Sequence, residues 1–197
     1  TTDYITDTVD KGCQFDLVYL DFSKAFDKVS HKKLILKLRR YGIDDKIINW
    51  IEAWLSNRRQ RVKISGEYSD WEPVVSGVPQ GSVLGPTLFV VFINDLPESL
   101  SCFNKLFADD LKMGMRVESF LDCIKLQDDL DRVSRWAKDW QTSFNIKKCH
   151  VMRYGKRNFQ FNYSLDGHPL DDSQVERDLG VLFSNDLKWE HQVAKAT

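Results

Sequence analysis

Several features that would place a chain in a class outright are scarce here. There are four cysteines, Cys13, Cys102, Cys123 and Cys149, with no CxxC pair among them and no clustering with the four histidines. That argues against a zinc site and against a disulfide framework, and it suits a reducing compartment. There is no basic excess, because 28 Lys and Arg stand against 29 Asp and Glu for a formal charge of -1, so any contact with nucleic acid has to be local. No apolar run approaches the roughly 18 residues of a membrane-spanning helix; the longest candidate, residues 88–93, is far too short. Internal repeats, low-complexity tracts and linkers are also missing. The chain starts at Thr1-Thr2-Asp3 without an initiator Met, a signal peptide or a basic targeting stretch, and it stops at Ala196-Thr197 inside a helix-like pattern. Both ends are therefore expected to be excision points in a longer protein.

What is present is the material of a globular domain. Of 197 residues, 42% are hydrophobic and 12% aromatic, with six Trp, enough to bury a core in a single domain over residues 1–197. Leu17-Val18-Tyr19-Leu20 is apolar and β-forming, as in a strand buried on both faces, and it ends abruptly at Asp21. Ser30 is placed to cap a helix carrying Leu34, Ile35, Leu38 and Tyr41, closed by Arg39, Arg40 and Gly42. Asp44 is placed to cap a second, with Ile47, Ile48, Ile51, Trp54 and Leu55. Over residues 57–64 a period of two sets Arg59, Arg61 and Lys63 on one face of an expected strand, and Val62 and Ile64 on the other.

A further strand is expected near residues 68–75, and the Gly- and Pro-dense residues 76–82 read as a loop. The next helix has Pro86 in its first turn and residues 88–93 apolar all round, so it should be central. Leu106-Phe107-Ala108-Asp109-Asp110, followed by Leu111, Met113 and Met115 in alternation, reads as a hairpin with the two acids at its turn. Residues 118–143 carry one amphipathic stripe, in which Trp136 and Trp140 read as packing residues. Strands are expected at residues 146–154, 159–165, turning at Asp166-Gly167, and 179–183, with Asp186 capping a last helix. The order of elements predicts an α+β fold, helices packed on a mostly antiparallel sheet.

One acid at the end of a buried strand and two more at a hairpin form a constellation that a fold can bring together. Converging carboxylates repel one another unless cations neutralise them, and an all-oxygen set suits Mg²⁺. Two such ions roughly 3.5–4 Å apart can serve an in-line phosphoryl displacement. The plainer reading is an ordinary polar turn and a strand-end Asp, and spacing alone does not choose between them.

The surrounding words do carry a choice. Tyr19-Leu20-Asp21-Phe22-Ser23-Lys24-Ala25-Phe26-Asp27, the loop from Ser76 to Pro86 with Gln80-Gly81 at its centre, and Leu106-Phe107-Ala108-Asp109-Asp110 resemble three successive polymerase motifs of reverse transcriptases. Their order and phrasing are similar to those of the non-LTR, LINE-type retrotransposon family. Asn145-Ile146-Lys147-Lys148 resembles that family's fourth motif, Leu179-Gly180-Val181 its primer-grip motif, and Leu187-Lys188-Trp189-Glu190-His191 the segment that follows.

The resemblance implies a polymerase palm with part of the fingers, as an insertion over about residues 31–75, and a thumb lying beyond this chain. It implies RNA-templated DNA synthesis, in which a DNA primer 3′-OH attacks a deoxynucleoside triphosphate. The cofactor would be two Mg²⁺ ions, with Mn²⁺ as a substitute, held by Asp21, Asp109 and Asp110. Phe26 matches the aromatic position beneath the incoming sugar, Gln80 and Gly81 the loop along the nascent base pair, and Lys148 the lysine that protonates or shields the departing pyrophosphate. Neighbouring Lys147 could fill that last place. Arg59, Arg61 and Lys63 are candidates for phosphate contacts to template or primer, against the alternative of a charged edge strand protected from aggregation.

Further partners would be the remaining fingers, the thumb and an endonuclease segment of a parent polyprotein, with no membrane and a nuclear or cytoplasmic setting. Three positions depart from the family's habit: Leu111, Cys149 and Asp178. The rival readings are a catalytically inactive remnant retaining nucleic-acid binding, and a reverse transcriptase of the group II intron maturase type.

Overall fold

The strand that runs into Asp21 organises the computed structural model, which describes residues 2–156 and 159–196. In chain order the first elements are α1 (Thr2–Asp10), β1 (Gln14–Asp21), α2 (His31–Arg40) and α3 (Asp45–Leu55). Four two-residue strands follow, β2 (Arg59–Gln60), β3 (Lys63–Ile64), β4 (Glu67–Tyr68) and β5 (Glu72–Pro73), and then α4 (Leu84–Ile93). Next come β6 (Phe103–Phe107), β7 (Asp110–Val117), α5 (Phe120–Asp139) and β8 (His150–Tyr154). The chain continues through β9 (Ser164–Leu165), β10 (His168–Pro169), β11 (Asp171–Asp172), β12 (Val175–Asp178), β13 (Val181–Ser184) and α6 (Glu190–Ala196). Thr197, where the helical pattern was expected to run on, lies outside the described residues.

These elements form two compact units. The first holds the residues up to Phe22, Leu96–Ala137 and those from Ser143 onward. Its sheet has the order β11-β8-β1-β7-β6, antiparallel throughout except for the β11–β8 pair. Central β1 is buried on both faces, as its apolar run requires, with Phe15, Leu17 and Val18 wholly inaccessible. Phe15 and Leu17 join Met152, Tyr154 and Ile5 of α1 in one core cluster. Opposite Leu17 sits Gly114, where a Cβ would come within 2.7 Å of the Asp16 carbonyl and the Phe15 ring, so β7 can carry no side chain there. Along α5 the residues Cys123, Leu126, Leu130, Val133 and Ala137 are buried. Asp129 on the same helix, also buried, accepts hydrogen bonds from the backbone N–H groups of Ser101 and Cys102 and thereby anchors the chain leading into β6.

The second unit is Ser23–Asp95 with Lys138–Thr142. Asp44 caps α3 by accepting from Lys46 N–H at 2.8 Å, whereas Ser30 precedes α2 without a capping bond and donates its hydroxyl to Gln141. Helix α4 buries Leu88, Phe89, Phe92 and Ile93 but leaves Val90 exposed. Trp140 packs edge-on against Phe92 and lies 3.8 Å beneath the ammonium of buried Lys37, which pairs with Asp95.

Several strands differ from expectation. The basic stretch is no single strand: β2 pairs with β5 and β3 with β4, and Val62 and Ile64 are exposed, like Arg59, Arg61 and Lys63, because among the described residues no layer covers them. The 146–154 strand begins only at His150, after a 3-10 turn over Ile146–Lys148. Within 159–165 only Ser164–Leu165 pairs, although the turn at Asp166-Gly167 is as expected. Leu179-Gly180 is the turn of the β12–β13 hairpin rather than strand. Asp186 caps no helix; its carboxylate accepts from Ser184 Oγ and Lys188 N–H, and α6 starts at Glu190.

Candidate active site

In the sheet unit, register does the positioning. Asp21 lies directly opposite Asp110 in the β1–β7 ladder, so their carboxylates leave the same face of the sheet. Asp109 is the second residue of the two-residue turn, Ala108-Asp109, that joins β6 to β7. The turn therefore holds one acid, not two, and Asp110 opens the strand. Ala108 sits at φ 49°, a left-handed conformation that costs an alanine about 1–2 kcal/mol, so strain is stored at this tip.

The end of β1 is clamped by its neighbour segment. Asn145 N–H donates to the Asp21 carbonyl at 2.8 Å, and Phe22 bridges Phe144 with their rings 4.4 Å apart. This brings Lys148 Nζ to 3.5 Å from the Asp21 carboxylate; among the pairs seen here it is Lys148, not Lys147, that reaches it. Cys149 is buried beside this contact, and burial pushes its thiol up to about 11.

Electrostatics single out Asp110. Asp110 is held above its ordinary value, first by partial desolvation and then by the charges of Asp109 and Asp21, with Lys112 acting in the opposite sense. Among the described residues no three His, Cys, Asp or Glu side chains are drawn close enough to enclose a metal ion as they stand. Three carboxylates on one strand pair are nevertheless a donor set of the kind that a hard divalent cation neutralises.

In the helical unit, hydrogen bonds to a turn do the equivalent work. Gly77 N–H donates to Val29 O and Val78 N–H to Phe26 O, both at 2.8 Å, and Ser76 Oγ donates to Asp27 O. Gly77 has φ +90°, and a Cβ on it would meet the Asp27 carbonyl at 2.8 Å, so only glycine lets the loop lie this close. Gln80 donates from its amide to the Asp27 carboxylate at 3.1 Å, while Gly81 stands in open space. Phe26 is half-buried and stacked on Phe89, with ring centroids 4.8 Å apart.

Arg59, Arg61 and Lys63 are exposed. Arg59 and Gln80 line a cleft of about 620 Å³ together with Lys24, Asp27 and Arg58. Arg61 instead lies 3.9 Å over Tyr68 and 4.5 Å over Trp71, and Lys63 4.9 Å over Tyr68. The sequence reading missed Lys24, Arg58, Tyr68 and Trp71. No local signal marked the last two, which follow the basic run among Glu67, Asp70 and Glu72 and meet the cations through the β2–β5 and β3–β4 pairings.

Comparison with known proteins agrees with this architecture. Residues 10–180 match the family described as Reverse transcriptase (RNA-dependent DNA polymerase). The RNA-directed DNA polymerase from mobile element jockey of Drosophila melanogaster is 30% identical over 185 residues, which is 89% of this chain and 20% of that protein. The probable RNA-directed DNA polymerase from transposon BS of the same organism is 30% identical over 207 residues, 95% of this chain and 22% of that one. The chain thus spans about a fifth of the length of these curated relatives. Among solved structures, apo telomerase from Candida tropicalis, truncated from its C-terminal domain, matches with a TM-score of 0.63 at 14% identity, over 95% of this chain and 38% of that one, a likeness of fold. With a family match across most of its length and an antiparallel-dominated α+β fold of palm and fingers type, the chain belongs to the reverse transcriptase family, as a domain of non-LTR retrotransposon kind.

Proposed function

We propose that this chain is the catalytic part of a retroelement polymerase that copies an RNA template into DNA by transferring deoxynucleotides to a primer 3′-OH. The observation that carries the reading is the register that sets Asp21 opposite Asp110, next to Asp109 at a strained turn. These three carboxylates would hold two Mg²⁺ ions, or Mn²⁺ in their place, which supply activation of the attacking hydroxyl and neutralisation of the phosphate charge. Lys148, a cation beside Asp21, is the candidate to protonate or shield the leaving pyrophosphate.

Phe26, braced on Phe89, offers a flat ring whose bulk would exclude a ribose 2′-OH. Gln80 supplies an amide for sugar or phosphate, and Gly81 an unobstructed backbone. Arg59, Arg61 and Lys63 would contact template or primer phosphates. The palm would comprise the sheet with its helices, and residues 31–75 the fingers-like insertion.

Primer extension with an RNA template, a DNA primer, deoxynucleotides and Mg²⁺ tests this, run beside an Asp109→Asn, Asp110→Asn double variant. We expect template-dependent extension that falls by at least about 10³-fold in the variant. Extension that survives in the variant would place the chemistry elsewhere. Absence of extension in both, with RNA still bound, would favour a nucleic-acid-binding remnant.

A further inference from the structure

One row inward from Asp21 and Asp110, register sets His150, Tyr19 and Lys112 side by side across β8, β1 and β7, on the face that carries the carboxylates. Two alternate residues of β12, Glu176 and Asp178, reach this row from the hairpin above. Glu176 Oε1 lies 2.9 Å from His150 Nδ1, a close polar contact rather than a directed hydrogen bond. Asp178 takes the ammonium of Lys112, and the two side chains are only 12% and 10% exposed. Tyr19 stands between the pairs; burial first, then Tyr154, then the charges of Asp178 and Glu176 hold its phenol above the ordinary value.

The β12–β13 hairpin shares no strand ladder with the five-stranded sheet; the backbone ties it only at its root, where β11 pairs with β8 and Ser173 N–H donates to Val151 O, so side chains have to orient its turn end. Apolar packing beside it, from Leu187 onto the core cluster, supplies area but little direction. A nearly buried ion pair is the reverse: desolvation consumes most of its attraction, yet it accepts one partner in one place. Moving Asp178 would strand Lys112 without its carboxylate in a low-dielectric site. The residue after Asp178 is Leu179, and the turn Leu179-Gly180 follows directly. The spot at which the hairpin is pinned is thus one step from its turn and one row from the carboxylates.

We propose that Lys112 and Asp178, seconded by His150 and Glu176, are positioning residues: they set the Leu179-Gly180 turn at a fixed offset from the Asp21–Asp110 row and so align the primer strand with the carboxylates. The primer part rests on the polymerase reading above and on the resemblance of Leu179-Gly180-Val181 to a primer-grip motif; the docking part does not. An undocked two-stranded hairpin is marginal in water, so losing the pin should let its amides exchange.

Hydrogen–deuterium exchange on the intact chain without nucleic acid is the first test. In Asp178→Asn and in Lys112→Gln, amides in residues 175–184 are expected to exchange about tenfold faster, in keeping with the loss of one charged hydrogen bond, while β1 stays protected. The double variant should be no faster than either single one, because both remove the same contact. Asp178→Glu should restore slow exchange. In primer extension, the Asp178→Asn variant should raise KM for the primer severalfold and leave KM for the nucleotide unchanged.

Unaltered exchange in 175–184, or acceleration spread evenly over the whole chain, overturns the proposal. If Asp178→Asn does not fold, Glu176→Gln gives the same reading from the other pin. A wild-type chain that fails to extend a primer would sink the polymerase reading alone, since the exchange result decides the dock by itself.

Discussion

The sheet unit and the helical unit hold their chemistry-bearing residues in opposite ways. Asp21 and Asp110 sit at the end of a ladder whose central strand is buried on both faces, where a one-residue slip would turn Asp21 to the other face and away from Asp110. Arg59 and Lys63 sit on two-residue strands and Arg61 on the link between them, in a stretch where every residue from 59 to 73 is exposed. Between these extremes lies the Gln80 loop, held to the Phe26–Val29 turn by three short hydrogen bonds and one indispensable glycine. The difference teaches where precision is spent. Reacting groups need a rigid frame, whereas a surface that meets a long polyanion gains from reach and tolerates local freedom.

The comparison breaks first at Gly77. Gly77→Ala should destabilise the helical unit by about 2–3 kcal/mol, since it combines a left-handed φ with a backbone clash. Gly81→Ala, equally left-handed but in open space, should cost about 1 kcal/mol. Urea unfolding of both variants checks this, and equal losses would mean that the loop is not held by its close approach to Asp27. A smaller effect is expected from replacing Arg59, Arg61 and Lys63 together by Gln. Stability should hold, because all three are exposed, while the salt dependence of single-stranded RNA binding should flatten by about 2 in slope if all three meet phosphate. An unchanged slope would remove this hairpin from the nucleic-acid surface.

The smallest effect concerns the carboxylates themselves, with divalent ions chelated. Asp110 is raised above its ordinary 3.8 in the folded chain, so the native state binds that proton more tightly than the unfolded state does. Its contribution to stability is therefore greatest below 3.8 and is lost as pH rises through the native value. Asp110→Asn should raise the melting temperature slightly at pH 7 and leave it unchanged near pH 3, as thermal melts at the two pH values would read out. A variant less stable at pH 7 would show that the acidic row is not repulsive.

Much of the frame was legible because its signals are local. The apolar run before Asp21, the strand after Leu111 and the cap at Asp44 each follow from neighbouring residues and are found where expected, although β7 is buried continuously over Leu111–Gly114 and not in alternation. Arg59, Arg61 and Lys63 misled because alternation implies a regular strand only where a second layer can bury Val62 and Ile64, and none covers them. The resemblance pointed to Lys148 and left Lys147 open, and a 3-10 turn, clamped by Asn145 to Asp21, sets the Lys148 ammonium beside Asp21. Asp178 was visible only as a departure from the family's habit; its partner Lys112 is 66 residues away, with nothing local to join them.

By itself the sequence determined the family and the α+β class and pointed to three acids, because motif wording, strand hydrophobicity and turn chemistry are written in contiguous residues. Only tertiary structure decided that Asp21 faces Asp110, that Lys148 is the lysine beside them, and that an ion pair pins a hairpin one row away. Those are pairings between distant segments, and burial and register, which no short window of residues contains, select them.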